Sequence, residues 1–253
     1  MPIAEPAPSE INYQHPPITE AVIGVTFSSP MDAKQLESVN KSFQKHYPHK
    51  QVVSTFDLSL EFNTKDIKDN KANLKPTIGH RLSTDDQTQL VVLWPDSITL
   101  SQLAPYQGWG DFVGRFIRDW GALKKILGFQ QISRIGVRYI NRIDLPAEEP
   151  IIEHENFLNI YPKVPDILNP LDAYALQASV TLKDINCRLT INSASVPSPL
   201  LHHFSFVIDT DIFSDLNPPQ SDSDLIVLLN KIRIKKNQVF EACISQPARS
   251  LFQ

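Results

Sequence analysis

Arg134, Arg138 and Arg142 recur at every fourth position of QISRIGVRYINRIDLP (131–146), while Ile135, Val137, Tyr139, Ile143 and Leu145 fall on the other parity. A strand rises about 3.3 Å per residue and alternates its side chains, so successive guanidinium groups stand about 13 Å apart on one face, with an apolar face behind them. Guanidinium groups set out this way are bidentate donors to carboxylates, small anions or a nucleic-acid backbone. The same types also serve a structural end, pairing with Asp or Glu on neighbouring strands. Other alternating segments supply polar residues for that face: Thr55, Asp57, Ser59 and Glu61; Gln177, Ser179 and Thr181; Arg188 and Thr190; Ser205, Asp209 and Asp211. Arg138 is expected to form a partly buried pair with an adjacent-strand carboxylate or with Glu20, leaving Arg134 and Arg142 freer to bind.

Other chemistry-bearing residues are sparse. Glu20 is the one charge in ITEAVIGVTF (18–27), and a buried carboxylate needs a partner. His46, His49, His202 and His203 lack cysteine or carboxylate neighbours at zinc-ligand spacing, so no metal is expected. Gly108-Trp109-Gly110 lacks the GxGxxG spacing of a phosphate loop and is read as seating Trp109 at a helix start. No GxSxG, HExxH, GxxxxGK[ST] or SxxK signature occurs. No cofactor is expected, and an acid/base role for a carboxylate such as Glu20 or Glu241 stays open. The basic run IRIKK (232–236) is too short to specify nucleic acid and reads as the solvated end of a helix.

Composition narrows the class. A chain of 253 residues with 42% hydrophobic residues can bury a substantial core, and a net charge of −4 argues against a polyanion-coating protein. Cys187 and Cys243 have no CxxC spacing and read as reduced core residues. Twenty prolines against eight glycines disfavour phosphate-cradling turns. No apolar run spans a bilayer and MPIAEPAPSE resembles no export signal, so a cytoplasmic protein that is not membrane-bound is expected.

These residues need elements to hold them. Residues 1–17, with five prolines, predict an extended arm. A buried strand follows over 18–27, then a helix capped by Asp32 with Leu36, Val39, Phe43 and Tyr47 on one face. Alternation predicts a strand over 51–63, polarity a loop over 65–76, and turn residues short strands near 79–84, 88–94 and 97–103. A second helix over 105–128 carries Phe112, Phe116, Trp120, Leu123 and Leu127, with Arg115, Arg118, Lys124 and Lys125 assigned to solvent. After the arginine strand, a proline-punctuated connector over 146–172 precedes strands at 176–182, 187–191 and 203–213 and a helix over 221–245. Runs of strands with few helices exclude a repeated βαβ fold. The order predicts an α+β fold: mostly antiparallel sheet with about three amphipathic helices on one side. It forms a single domain over 1–253, admitting two loosely similar halves and a subdomain division near 146–172.

PPITEAVIGVTF (16–27), LAPYQGW (103–109), RIGVRYINRIDLP (134–146) and KKNQVFEACI (235–244) together resemble an uncharacterised, sporadically distributed prokaryotic protein family of similar length. The resemblance implies that Glu20, Trp109, Arg138, Tyr139, Asn141, Arg142, Asn237, Phe240 and Glu241 occupy characteristic positions. It implies no mechanism. Patchy distribution is associated with mobile, defence or toxin–antitoxin loci, which favours a non-enzymatic protein-binding role. Alternatives are nucleic-acid binding through Arg134, Arg138 and Arg142, which needs salt-dependent affinity, and a metal-independent enzyme.

Overall fold

Periodicity and capping account for where the elements begin and end. The computed structural model describes residues 13–61, 71–146 and 154–253, with the backbone alone for 56–61 and 71–75. β1 (Ile18–Phe27) buries Ala21, Ile23, Val25 and Phe27 on one parity. Asp32 caps α1 (Ala33–Phe43): its carboxylate accepts from the Gln35 amide at 2.8 Å, and the Gln35 side chain accepts from the Asp32 amide at 2.9 Å. Such reciprocal capping satisfies two amides that the helix itself leaves unpaired. β2 (His49–Glu61), β3 (Lys71–Ser83), β4 (Gln89–Trp94) and β5 (Ser97–Leu103) follow. α2 (Trp109–Leu127) begins after Gly108 at φ +110° and stops at Gly128 at φ +71°, a left-handed conformation that glycine adopts without a Cβ clash.

The remaining elements are β6 (Ile132–Pro146), β7 (Ala175–Leu182), β8 (Cys187–Val196), β9 (His203–Ser214), α3 (Asp222–Cys243) and the short α4 (Gln246–Ser250). Nine strands form an antiparallel sheet in the order β2-β3-β4-β5-β1-β6-β9-β8-β7, with helices alongside, so the fold is α+β. Cys187 and Cys243 are buried free thiols whose pKa values burial pushes up to about 11.

The chain divides into two compact units. The first comprises Met1–Val22, Leu103–Trp109 and Ile135–Gln253; the second comprises Ile23–Gln102 and Gly110–Arg134. The division falls inside β1 and β6, and the 146–172 connector belongs to the first unit. Short 3-10 turns at His154–Asn156 and Asp166–Leu168 punctuate that connector, and its Leu158 is buried in an isolated bridge to Ile244. In the first unit α3 packs on β9, its Leu225, Leu229 and Ile232 buried, as are Ile208 and Ile212 of the strand.

Three expectations are corrected. Residues 71–76, expected to loop, continue β3 in register with β2, from Glu61↔Lys71 to Phe56↔Pro76; residues 65–70 lie outside the described residues. Side-chain polarity does not prevent a backbone from pairing when a facing strand supplies the ladder. Arg115, expected on the solvated side of α2, is buried: its Nη2 donates to the Ser101 carbonyl at 2.7 Å and its Nη1 to Tyr47 Oη at 3.2 Å. Tyr47 in turn donates to the buried Asp119, and Arg118 Nη2 donates to Tyr47 Oη at 3.0 Å, so the second unit ties α2 to the end of α1 through a polar network. The third correction concerns IRIKK. Ile232 and Lys236 are both buried, and Lys235 pairs with Asp184.

Candidate functional site

Register in the first unit decides what the arginine stripe does. Arg138 lies opposite Asp211, then Thr190 and Ser179; Asp209 lies opposite Asn192, then Gln177. Residues directly opposite share a face, so the polar residues collected from the sequence do come together on β6, β9, β8 and β7. They are bonded to one another. Arg138 grips Asp209 with both arms, Nε to Oδ1 at 2.8 Å and Nη2 to Oδ2 at 2.7 Å. Asn192 Nδ2 donates to Asp209 Oδ2 at 3.0 Å, and Gln177 Nε2 to Asn192 Oδ1 at 2.8 Å, completing a ladder across four strands.

The other cations of this face are also engaged. Arg142 Nε lies 3.1 Å from both oxygens of Asp144, Ser205 Oγ donates to Asp144 as well, and Arg188 pairs with Asp215. Arg134, in the second unit, has its own partner. Arg142 is therefore no freer than Arg138. Asp209 raises the Arg138 pKa chiefly by its hydrogen bond; half-buried Glu20 contributes only a weaker Coulombic pull, and among the described residues the ion-pair partner of Arg138 is Asp209. Asp57, Ser59 and Glu61 lie outside the residues whose side chains are described.

The apolar parity of β6 leads to a different cluster. Tyr139 is buried, and its hydroxyl hydrogen-bonds that of Tyr106 at 2.8 Å. Lys236 of α3 sets its Nζ 3.8 Å from the centre of the Tyr139 ring. Lys236 is 9% exposed and has no hydrogen bond or ion pair among the described residues. Burial, and secondarily the charge of Arg233, bring its pKa down to about 7; burial likewise raises that of Tyr139. Asn141, on the same parity, is buried and donates to the Ile208 carbonyl at 3.2 Å.

Neighbouring positions along α3 hold the rest. Trp109 Nε1 donates to Asn230 Oδ1 at 3.0 Å. Glu241 accepts from Tyr13 Oη at 2.6 Å and from Arg249 Nε at 2.8 Å, so residues following the proline-rich segment are tied to α3 and α4. Phe240 is buried with its ring 6.4 Å from that of Phe252, and Asn237 is half-buried without a side-chain hydrogen bond among the described residues. LAPYQGW, most of RIGVRYINRIDLP and KKNQVFEACI thus all fall in the first unit, with PPITEAV to Val22. Backbone bonds join them: Ala104 N to Thr19 O at 3.1 Å and Arg142 N to Pro17 O at 2.8 Å.

Sequence reasoning overlooked Lys236 and Tyr106. The signal for Lys236 was present, since Leu225, Leu229, Ile232, Lys236, Phe240 and Cys243 follow the three-and-four spacing of one buried helix stripe. It also treated as a connector the segment that lines a cavity of about 330 Å³ with His154, Asp172, Tyr174, Ser195, Phe204 and Phe206. His154 there lies 5.0 Å from the Tyr161 ring and 5.2 Å from the Tyr174 ring. Among the described residues no group of His, Cys, Asp and Glu side chains gathers as a metal site, and no helix is long and apolar enough to cross a membrane.

No protein-family model matches the chain, and no curated protein matches it. Among solved structures the chain is similar to DynU16, a protein in the dynemicin biosynthetic locus, at 13% identity over 92% of this chain and 97% of that one, with a TM-score of 0.25. At that TM-score the similarity carries no argument about activity.

Proposed function

We propose that the chain is a binding protein that takes up an extended segment of a partner protein along β7. The observation that supports this is the composition of a sheet edge. Among the described residues β7 ends the strand order and pairs only with β8, yet ALQASVTL contains no charge and no proline. Exposed edges are ordinarily blunted by Lys, Pro or bulges because their unpaired amides and carbonyls template further pairing. The opposite edge, β2, carries His49, Lys50, Asp57 and Glu61 in its sequence.

Parity specifies the partner's chemistry. Gln177, Ser179 and Thr181 continue the amide and hydroxyl ladder, while Leu176, Ala178, Val180 and Leu182 form the other row, with Val180 47% exposed. An uncharged strand with small apolar residues on one parity and hydroxyl or amide residues on the other extends both rows. Main-chain bonds supply the affinity and the alternating side chains the selectivity. Family resemblance, not geometry, is what supports a partner encoded in a mobile, defence or toxin–antitoxin locus.

The test is co-purification with the product of a neighbouring gene, followed by amide hydrogen exchange on the complex. Slowed exchange over 175–182, together with loss of the complex in Val180→Lys at unchanged melting temperature, is the expected result. A partner held equally by Val180→Lys, with 175–182 exchanging as in the free protein, refutes it. A concentration-dependent dimer abolished by Val180→Lys would make the occupant a second copy of this chain. Nucleic-acid binding through Arg134, Arg138 and Arg142 is the weaker alternative because each of these cations already has a partner. Acid/base chemistry at Glu241 is weaker because Tyr13 and Arg249 hold that carboxylate.

A further inference from the structure

Lys236 is an amine in the wrong place for a structural cation. A buried ammonium is ordinarily matched by a carboxylate or by carbonyl acceptors, because removing it from water unpaired costs several kcal/mol or more. Here the charge that acts most strongly on it is another cation, Arg233, three residues back on the helix, and Glu241 is already bonded to Tyr13 and Arg249. What faces Nζ is the ring of Tyr139, whose hydroxyl is bonded to that of Tyr106. A lysine desolvated beside a second cation is the arrangement that turns an ammonium into a nucleophilic amine at neutral pH. The depressed Lys236 pKa, about 7, agrees with that expectation.

We infer that Lys236 is a carbonyl-capturing residue, forming a reversible imine with a small aldehyde or ketone, with the Tyr139 and Tyr106 hydroxyls as its proton relay. The Nζ lone pair adds to the carbonyl carbon while the carbonyl oxygen takes up a proton, giving a carbinolamine. Loss of that oxygen as water, carrying the two protons of the amine, leaves the carbon–nitrogen double bond; amine and carbonyl are the only reactants. Burial keeps Tyr139 protonated, so its hydroxyl is available as a proton donor for this step. Lys236 retains 9% of its surface, so the carbonyl compound it takes is a small one. This site lies on the opposite parity of β6 from the polar ladder and does not depend on the β7 edge.

The experiment uses the full chain with limiting propionaldehyde and sodium cyanoborohydride at pH 7.5, followed by peptide mass spectrometry. Lys236 should be alkylated roughly tenfold or more faster than the exposed Lys34 and Lys41, because a group with its pKa near 7 is mostly neutral at that pH whereas an ordinary lysine is about a thousandth neutral. Its labelling rate should rise through pH 7 and level off, while that of Lys34 and Lys41 keeps rising toward pH 10. Tyr139→Phe, with folding checked by circular dichroism, should slow labelling of Lys236 and leave that of Lys34 unchanged. Labelling of Lys236 no faster than of Lys34, or a rate that climbs only toward pH 10, overturns the inference: the first means an inaccessible amine and the second an ordinary ammonium resting on an aromatic ring.

Discussion

Arg138→Ala removes the β6 end of the four-strand ladder, and the geometry sets the size of the effect. The guanidinium is half exposed, at 48%, whereas the Asp209 carboxylate it grips is only 8% exposed. An exposed pair contributes about 0–1 kcal/mol, and breaking a fully buried pair costs about 3–5 kcal/mol. The asymmetry here puts the loss between these, because the substitution leaves a buried carboxylate whose remaining side-chain partner is Asn192 Nδ2. A destabilisation of about 2 kcal/mol follows, which for a chain of this length lowers the melting temperature by roughly 4–8 °C. Urea denaturation of Arg138→Ala, Asp209→Ala and the double variant measures it. The double variant should be less destabilised than the sum of the singles by about 1 kcal/mol or more, since the second removal no longer strands a charge. A melting temperature within about 1 °C of the parent for Arg138→Ala, with native circular dichroism, would refute the structural role and return Arg138 to the binding hypothesis.

Lys236 has its folded pKa brought down to about 7, so between about pH 7 and pH 10 the unfolded chain binds the extra proton, and stability rises with pH across that window and is lost as pH falls. Lys236→Met should therefore exceed the parent most at or below pH 7, the difference shrinking by roughly 1 kcal/mol per pH unit toward pH 10; a pH-independent difference in urea midpoints would contradict this. At Gly79 a Cβ would stand 2.6 Å from Trp94 Cε3 and 2.7 Å from the Leu93 carbonyl, so Gly79→Ala should cost about 1–3 kcal/mol in thermal denaturation; an unchanged stability would show that Trp94 moves freely. Because the connector buries Leu158 against the end of α3, limited proteolysis should not yield two stable halves cut near 150–170, and recovery of two such folded fragments refutes a single cooperative unit.

Elements were legible where one local period dominated. Asp32 with Gln35, Ser221 with Asp224, and Gly128 are helix ends written in a few residues. The parity of β6 was equally plain, since Ile135, Val137, Tyr139, Ile143 and Leu145 are all buried. Register was not legible. Whether Arg138 faces Asp209 or solvent depends on how β9 slides against β6, and a two-residue shift would preserve every side-chain face while changing every partner. Arg115 and Lys236 were misread for a different reason: long cationic side chains were assigned to solvent by type, although their spacing from Phe112 and from Ile232 and Phe240 puts them on buried stripes. Periodicity was the better guide there, and the conflict between type and position was itself the mark of an unusual site.

β6 serves two chemistries through adjacent residues, Arg138 turned to the polar ladder and Tyr139 to Lys236. If strand parity isolates them, perturbing one face should not be felt on the other. Arg138 bonds to β9 by its side chain, and Lys236 meets β6 at the Tyr139 ring, so these two sets of interactions share no side chain. The stability losses and gains of Arg138→Ala and Lys236→Met should then add within about 0.5 kcal/mol at a fixed pH. The alternative is that Asp209, stranded by Arg138→Ala, distorts the backbone between positions 138 and 139 and moves the ring on which Nζ rests. Non-additivity beyond about 1 kcal/mol, accompanied by a changed labelling rate at Lys236 in Arg138→Ala, would establish that coupling and make the ladder a positioning element for the amine.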